Sequence, residues 1–201
     1  MTKSFKNVTL TTKTVAFTAL ATALTTVSTV FGFSSPQFYF NLGDTIIMIS
    51  SVLLGPFAGL IAGGFGSFFA DLAVYPATMF FTLIIKGIEG FTVGILYDVI
   101  RKKVKNLKLE IVFTILSMVL GGSIMMVGYF ISQTFFYGTL ASAVIALPLD
   151  ALQAVSAVIL SSVILYALKA IKLKNKLLSQ NHVKQHDTCS DKENSINKDK
   201  N

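Results

Sequence analysis

Cysteine is almost missing from this chain. One of its 201 residues is a cysteine. It is Cys189, in a polar stretch near the end, so a disulfide within the chain is excluded. The two histidines, His182 and His186, lie in the same stretch. The apolar segments therefore hold neither the ligands of a buried zinc site nor a histidine proton relay. No Walker loop occurs, which excludes nucleotide hydrolysis by that route. The serines of the apolar runs have no histidine partner for nucleophilic catalysis. No enzymatic activity and no cofactor are expected. Charge is scarce too, at 13% of residues.

What remains is apolar. Hydrophobic residues make up 53% of the chain and the mean hydropathy is +0.68, which points to an integral membrane protein. The formal charge of +7 is not a nucleic-acid signal, because the basic residues flank apolar segments as topology signals do. Lys3, Lys6 and Lys13 ahead of an apolar run resemble a signal peptide. The later runs already demand a membrane protein, so the expectation is an uncleaved first span.

The apolar runs read as six spans. The first covers about Val15–Phe33, followed by an aromatic loop, Ser34–Phe40. Asn41 starts a short second helix, with Asp44 three residues on in a capping-box-like arrangement, and Gly55-Pro56 ends it. The third runs from Pro56 to Val74 and the fourth from Ala77 to Ile100. A basic connector, Arg101–Lys108, leads into the fifth, Leu109–Gln133. Thr134–Leu147 is apolar and rich in small residues. Pro148 suits the first turn of the sixth span, Leu149–Ala170, with Asp150 close behind. The expected organisation is a cytoplasmic segment over 1–14, a six-helix membrane domain over 15–178 and a disordered polar tail over 179–201. Basic residues precede the first span, join the fourth to the fifth and follow the sixth, which places both termini in the cytoplasm.

Against that background the charged residues inside the spans stand out. Lys86 and Glu89 sit three apart in Thr82–Leu96, on one helix face, roughly 13–18 Å below the outer end of the fourth helix. A charge at that depth costs about 2.5–3.5 kcal/mol on insertion scales and by default marks a functional site. Asp44, Asp71 and Asp150 fall nearer the outer side. The combination predicts a cavity open to the outside, with Asn41, Tyr39 and Tyr75 beside it. Plainer readings exist. Asp44 and Asp150 suit helix N-termini, Asp71 suits interfacial water, and Lys86 and Glu89 suit an internal ion pair. The aromatics suit an interfacial belt. Gly55, Gly59, Gly63 and Ser67, and Gly90 and Gly94, recur every four residues, a pattern for close helix packing. Ala19 and Ala23 share that spacing and suit either helix packing or a partner subunit.

Phe40-Asn-Leu-Gly-Asp44, Leu54-Gly-Pro-Phe-Ala-Gly-Leu-Ile-Ala-Gly-Gly-Phe-Gly-Ser67, Ala70-Asp71 and Ile85-Lys-Gly-Ile-Glu-Gly90 resemble the substrate-binding S components of energy-coupling factor (ECF) vitamin transporters. The similarity is greatest to the riboflavin and hydroxymethylpyrimidine or pyridoxine branch and covers about Val15–Ala170. It implies an all-α membrane fold, six helices around an outward-facing cavity capped by the first external loop. It also implies high-affinity vitamin binding, a transmembrane coupling subunit and two ATPase subunits as partners. In addition it implies a coupling-subunit contact at the alanine-x-x-x-alanine pair, here Ala19 and Ala23. The excess of acids over the one lysine favours a pyridoxine-like or hydroxymethylpyrimidine-like ligand, with riboflavin next. A stand-alone ion-coupled carrier and a non-transport scaffold are the rival readings.

Overall fold

The computed structural model describes the backbone of residues 12–35, 38–40, 42–104 and 106–198, and side chains over 12–32, 42–104, 106–136 and 138–171. Among these are six helices and one small hairpin: α1 (Thr12–Val30), β1 (Phe33–Ser35), β2 (Phe38–Phe40), α2 (Gly43–Leu54), α3 (Pro56–Val74), α4 (Met79–Lys103), α5 (Leu107–Tyr137) and α6 (Leu140–Lys198). The strands pair antiparallel, Phe33 with Phe40 and Ser35 with Phe38. The stretch read as a loop before α2 is thus in part a hairpin.

The protein is an all-α membrane protein. Among the described residues, four helices are long and apolar enough to cross a bilayer: Pro56–Val74, Met79–Lys103, Leu107–Phe136 and Leu140–Ile171. Gly43–Leu54 is apolar but short, only about 18 Å at 1.5 Å per residue. The pattern of exposure is that of a lipid-embedded bundle. Phe80, Ile84, Val112, Val127 and Ile131 lie on the outside, whereas Asp44, Lys86, Glu89 and Gln153 lie inside. Polar groups that would be costly in hydrocarbon are turned toward one another.

The chain divides into a unit ending at Ser162 and a second unit from Val163 onward. In the second, α6 carries exposed Val163, Tyr166 and Ile171 and a buried Leu165, and helical backbone continues to Lys198. In the first, α1 turns its threonines inward: Thr18, Thr25 and Thr29 are buried. Thr18 and Thr22 Oγ1 donate to carbonyls one turn back, at 2.8 and 2.9 Å. Thr26 Oγ1 also reaches the Gly66 carbonyl of α3 at 2.9 Å. Such back-bonding satisfies these hydroxyls within an apolar bundle, whereas the buried Thr25 Oγ1 has no hydrogen-bond partner.

The recurring glycines of α3 and α4 face each other. A Cβ at Gly59 would stand 2.6 Å from the Gly90 carbonyl, and one at Gly63 would collide with the Lys86 carbonyl. Helix backbones approach this closely only where side chains are absent. The glycine pattern therefore serves packing, and it fixes the backbone that carries Lys86 and Glu89.

Two boundaries differ from the sequence reading. The break between α5 and α6 is Gly138, which takes the left-handed conformation at φ 64°, and α6 begins at Leu140 with Pro148 inside it. Proline there removes one backbone donor and leaves the Val144 carbonyl without its helical partner, but it does not end the helix. The second difference is at α2. Its N-cap is Leu42, without a side-chain cap, because leucine has no side-chain acceptor to offer.

Candidate functional site

Asp44 occupies the first turn of α2, yet it is buried at 1% exposure. Although the N-cap Leu42 is 48% exposed, the carboxylate of this first turn is therefore turned into the protein. Its Oδ1 pairs with the Lys86 ammonium of α4, and its Oδ2 accepts from Gln153 Nε2 of α6 at 2.8 Å. Lys86 Nζ also stands 3.3 Å from Glu89 Oε2, one turn along α4, and 5.3 Å from the centre of the Tyr129 ring of α5. Three helices thus meet at one ammonium, and α6 joins them through Asp44. Lys86 is 2% and Glu89 0% exposed, so the group is sealed from water.

The charge count at this junction is two carboxylates against one ammonium. Asp44 takes the better share, with a donor on each oxygen. Glu89 has only the Lys86 charge beside it, and neither of its oxygens accepts a hydrogen bond. Gln153 Oε1 is likewise unpartnered. Buried acceptors without donors each cost about 1–3 kcal/mol. A site that only stitched helices together would be better built from apolar side chains.

Above the junction, toward the end where α3 stops and α4 starts, the other acids appear. Asp71 is half-buried in the last turns of α3. Its Oδ2 accepts from Thr78 Oγ1 at 3.1 Å, and its carbonyl accepts from the Tyr75 amide at 2.7 Å. It also lies beside Thr82, which neighbours Tyr129. Asp150 of α6 is half-buried next to Gln133 of α5. Asp71 and Asp150 are both within electrostatic reach of Lys86.

The structure therefore brings Asp44, Lys86 and Glu89 together in one cluster and sets Asp71 and Asp150 around it. Asp44 belongs with the buried pair rather than nearer the rim. Tyr75 is exposed at 45% at the α3 C-terminus. Asn41 lies outside the described residues, as does the side chain of Tyr39. Gln153, Tyr129 and Gln133 did not emerge from the sequence. The signal available was an amide within an apolar run, which is nearly as out of place there as a charge. On α1, Ala19 and Ala23 both face outward beside exposed Leu20 and Val27, so this alanine face is free rather than buried in the bundle.

Comparison with known proteins covers the segment that carries this geometry. Residues 9–170 match the family described as ECF-type riboflavin transporter, S component. The chain belongs to that family. The S component is the vitamin-binding subunit of a transporter, so the polar centre of this bundle lies in a protein of transport rather than catalysis. An uncharacterized protein of Pyrococcus woesei, named for its place in a gap 3'region, is 38% identical over 149 residues, which is 74% of this chain and 95% of that protein. The solved structure of ThiT from Listeria monocytogenes aligns with a TM-score of 0.59 at 16% identity, over 80% of this chain and 97% of that one. At that identity the likeness speaks for the fold. It covers nearly the whole of the other protein.

Proposed function

We propose that this S component captures riboflavin, or a close flavin relative, on the outer side of the cytoplasmic membrane. It then delivers the vitamin inward with a transmembrane coupling subunit and two ATPases. The observation that carries this reading is the match of residues 9–170 to the riboflavin-type family. In this reading six helices cross the membrane with both termini in the cytoplasm. The exposed Arg101, Lys102, Lys103 and Lys108 then form the cytoplasmic basic connector favoured by the positive-inside rule.

Counting acids favoured a pyridoxine-like or hydroxymethylpyrimidine-like ligand, and the family match favours riboflavin over it. That count treated Asp44 and Glu89 as free to meet ligand donors or positive charge. Both stand against Lys86 instead, so these two carboxylates are turned to the ammonium they share rather than to a ligand. The ligand site lies at the polar centre of the bundle, with Asp44, Lys86 and Glu89 as its floor, Asp71 and Asp150 around it, and Asn41, Tyr39 and Tyr75 at its mouth. Ala19 and Ala23 meet the coupling subunit.

The test is binding and uptake by the full chain. Purified protein should retain a flavin, identified by mass spectrometry, and bind added riboflavin in preference to pyridoxine and hydroxymethylpyrimidine. Uptake into liposomes should need ATP and the co-reconstituted coupling and ATPase subunits. Ion-driven uptake by the chain alone, or selective binding of pyridoxine, would sink this reading. Lys86→Met and Glu89→Gln should both weaken the binding.

A further inference from the structure

Arg101, Lys102, Lys103, Lys105 and Lys108 crowd into residues 101–108. The polar centre has no use for them, since Arg101 lies about 22 Å along α4 from Lys86 at 1.5 Å per residue. Such a run orients a membrane protein, but orientation asks nothing of its structure. Here the run is built. α4 stays helical to Lys103, and the Val104 amide still donates to the Ile100 carbonyl at 2.9 Å. α5 begins at Leu107. The Asn106 side chain accepts from the Lys108 amide at 3.0 Å, and the Asn106 carbonyl accepts from the Glu110 amide at 2.9 Å. The cations are thus carried by two capped helix ends rather than by a long loop.

The acids of this end do not cancel them. Glu110 Oε1 accepts from the Tyr97 hydroxyl of α4 at 3.2 Å, and Tyr97 is buried at 5% exposure. Asp98 stands four residues before Lys102, the spacing of a helix ion pair, which sets Lys102 apart from the other cations. Arg101, Lys103 and Lys108 are exposed, and among the described residues none of them forms a salt bridge. Val99, Leu107, Leu109 and Val112 are exposed along the same helix ends. Cations bordered by apolar side chains suit a layer of anionic headgroups with acyl chains beneath it. A soluble acidic protein would match the charges but leave the leucines and valines without an apolar partner.

We propose that the α4–α5 connector binds the headgroups of anionic phospholipids. Arg101, Lys103 and Lys108 hold the lipid phosphates, and Leu107 and Leu109 sit among the acyl chains below. The surface is separate from the ligand site and would anchor this end of the bundle at a fixed depth.

The chain has no tryptophan, so a single one reports on its own surroundings. Leu107→Trp places it at the connector. Phe80→Trp places it on an exposed position near the other end of α4. Each full-length variant is reconstituted in phosphatidylcholine bilayers containing a minority of brominated phosphatidylglycerol or brominated phosphatidylcholine, and quenching gives the relative association of the two lipids. Leu107→Trp should favour phosphatidylglycerol at least fivefold, roughly the effect of one cation near an anionic surface. Phe80→Trp should show no preference. The preference should fall toward one at about 1 M salt, where the Debye length is about 3 Å. Adding Arg101→Gln, Lys103→Gln and Lys108→Gln together should also abolish it, while quenching at Phe80→Trp in the same background stays unchanged and so reports an intact bundle. Equal quenching by the two lipids at Leu107→Trp overturns the proposal, as does a preference that survives the three substitutions. Loss of assembly with the coupling subunits in the triple variant, without any lipid preference in the parent, would assign the cations to a protein partner instead and overturn it as well.

Discussion

Gln153 donates to Asp44 at 2.8 Å across 109 positions of sequence, and the other oxygen of the same carboxylate holds Lys86. Asp44 is therefore the point through which α2 is fastened to both α4 and α6. Removing one member strands the others. Lys86→Met leaves two buried carboxylates without a counter-charge and should destabilise the protein by about 3–5 kcal/mol. Gln153→Leu removes one neutral donor to a charged acceptor and should cost about 1.5–3 kcal/mol. The double substitution Asp44→Leu with Lys86→Met should cost clearly less than the sum of the singles, because it removes the charges together. Denaturation of detergent-solubilised protein measures all of these, and additivity in the double variant would mean that the pair does not couple the helices.

The backbone beneath this junction makes a second prediction. Gly63 of α3 lies against the Lys86 carbonyl and beside Ile47. Gly63→Ala would force α3 and α4 apart at the level of the charges, an overpacking that typically costs about 1–3 kcal/mol. Gly87→Ala is the matched control, since its nearest neighbours stand at 3.7 Å, an ordinary contact distance. Gly63→Ala should lower both the melting temperature and the affinity for riboflavin, whereas Gly87→Ala should lower neither appreciably.

These two sets of residues show what the sequence made legible and what it did not. Lys86 and Glu89 stood out because a charge in an apolar run is costly wherever the helix points. The glycine spacing was readable for the same reason, since periodicity on one helix survives without knowledge of its partner. Asp44 was visible as a residue but not as a contact. Its place in a first turn suggested a helix end, and only the packing of α2 within the bundle puts that end beside Lys86. Gln153, Gln133 and Tyr129 carry no formal charge and passed as ordinary span residues. The α5–α6 boundary was misplaced because Pro148 was weighed above Gly138. A proline inside a long apolar helix is tolerated when neighbouring helices hold it, whereas a positive φ at glycine ends the helix outright.

The outward alanine face of α1 leads to a third prediction. Ala19 and Ala23 are exposed, while Thr18, Ala21 and Thr25 hold the inner side of that helix. Ala19→Leu and Ala23→Leu add side chains where this chain has nothing to clash with, so stability should change by no more than about 0.5 kcal/mol. Riboflavin affinity should also stay the same. ATP-dependent uptake with the reconstituted coupling module should fall at least severalfold if that face is where the coupling subunit sits. Undiminished uptake would remove these alanines from the interface.

Asp150 offers a way to separate a neutral ligand from a cationic one. It is half-buried near Gln133 and within electrostatic reach of Lys86. Asp150→Asn keeps the shape and an acceptor oxygen while removing the charge. If the ligand is a neutral flavin, its interaction with this position is a hydrogen bond that the asparagine can still accept, and affinity should change by less than about threefold, under 1 kcal/mol. A cationic ligand would lose a charge-assisted bond, worth about 1.5–3 kcal/mol, and its affinity would fall by tenfold or more. Titrating riboflavin into the wild type and Asp150→Asn therefore reads how far its binding depends on the charge of Asp150. A small change for riboflavin fits a neutral ligand whose contact at this position is an ordinary hydrogen bond. A large one would mean that the carboxylates around Lys86 still present net negative charge to the ligand.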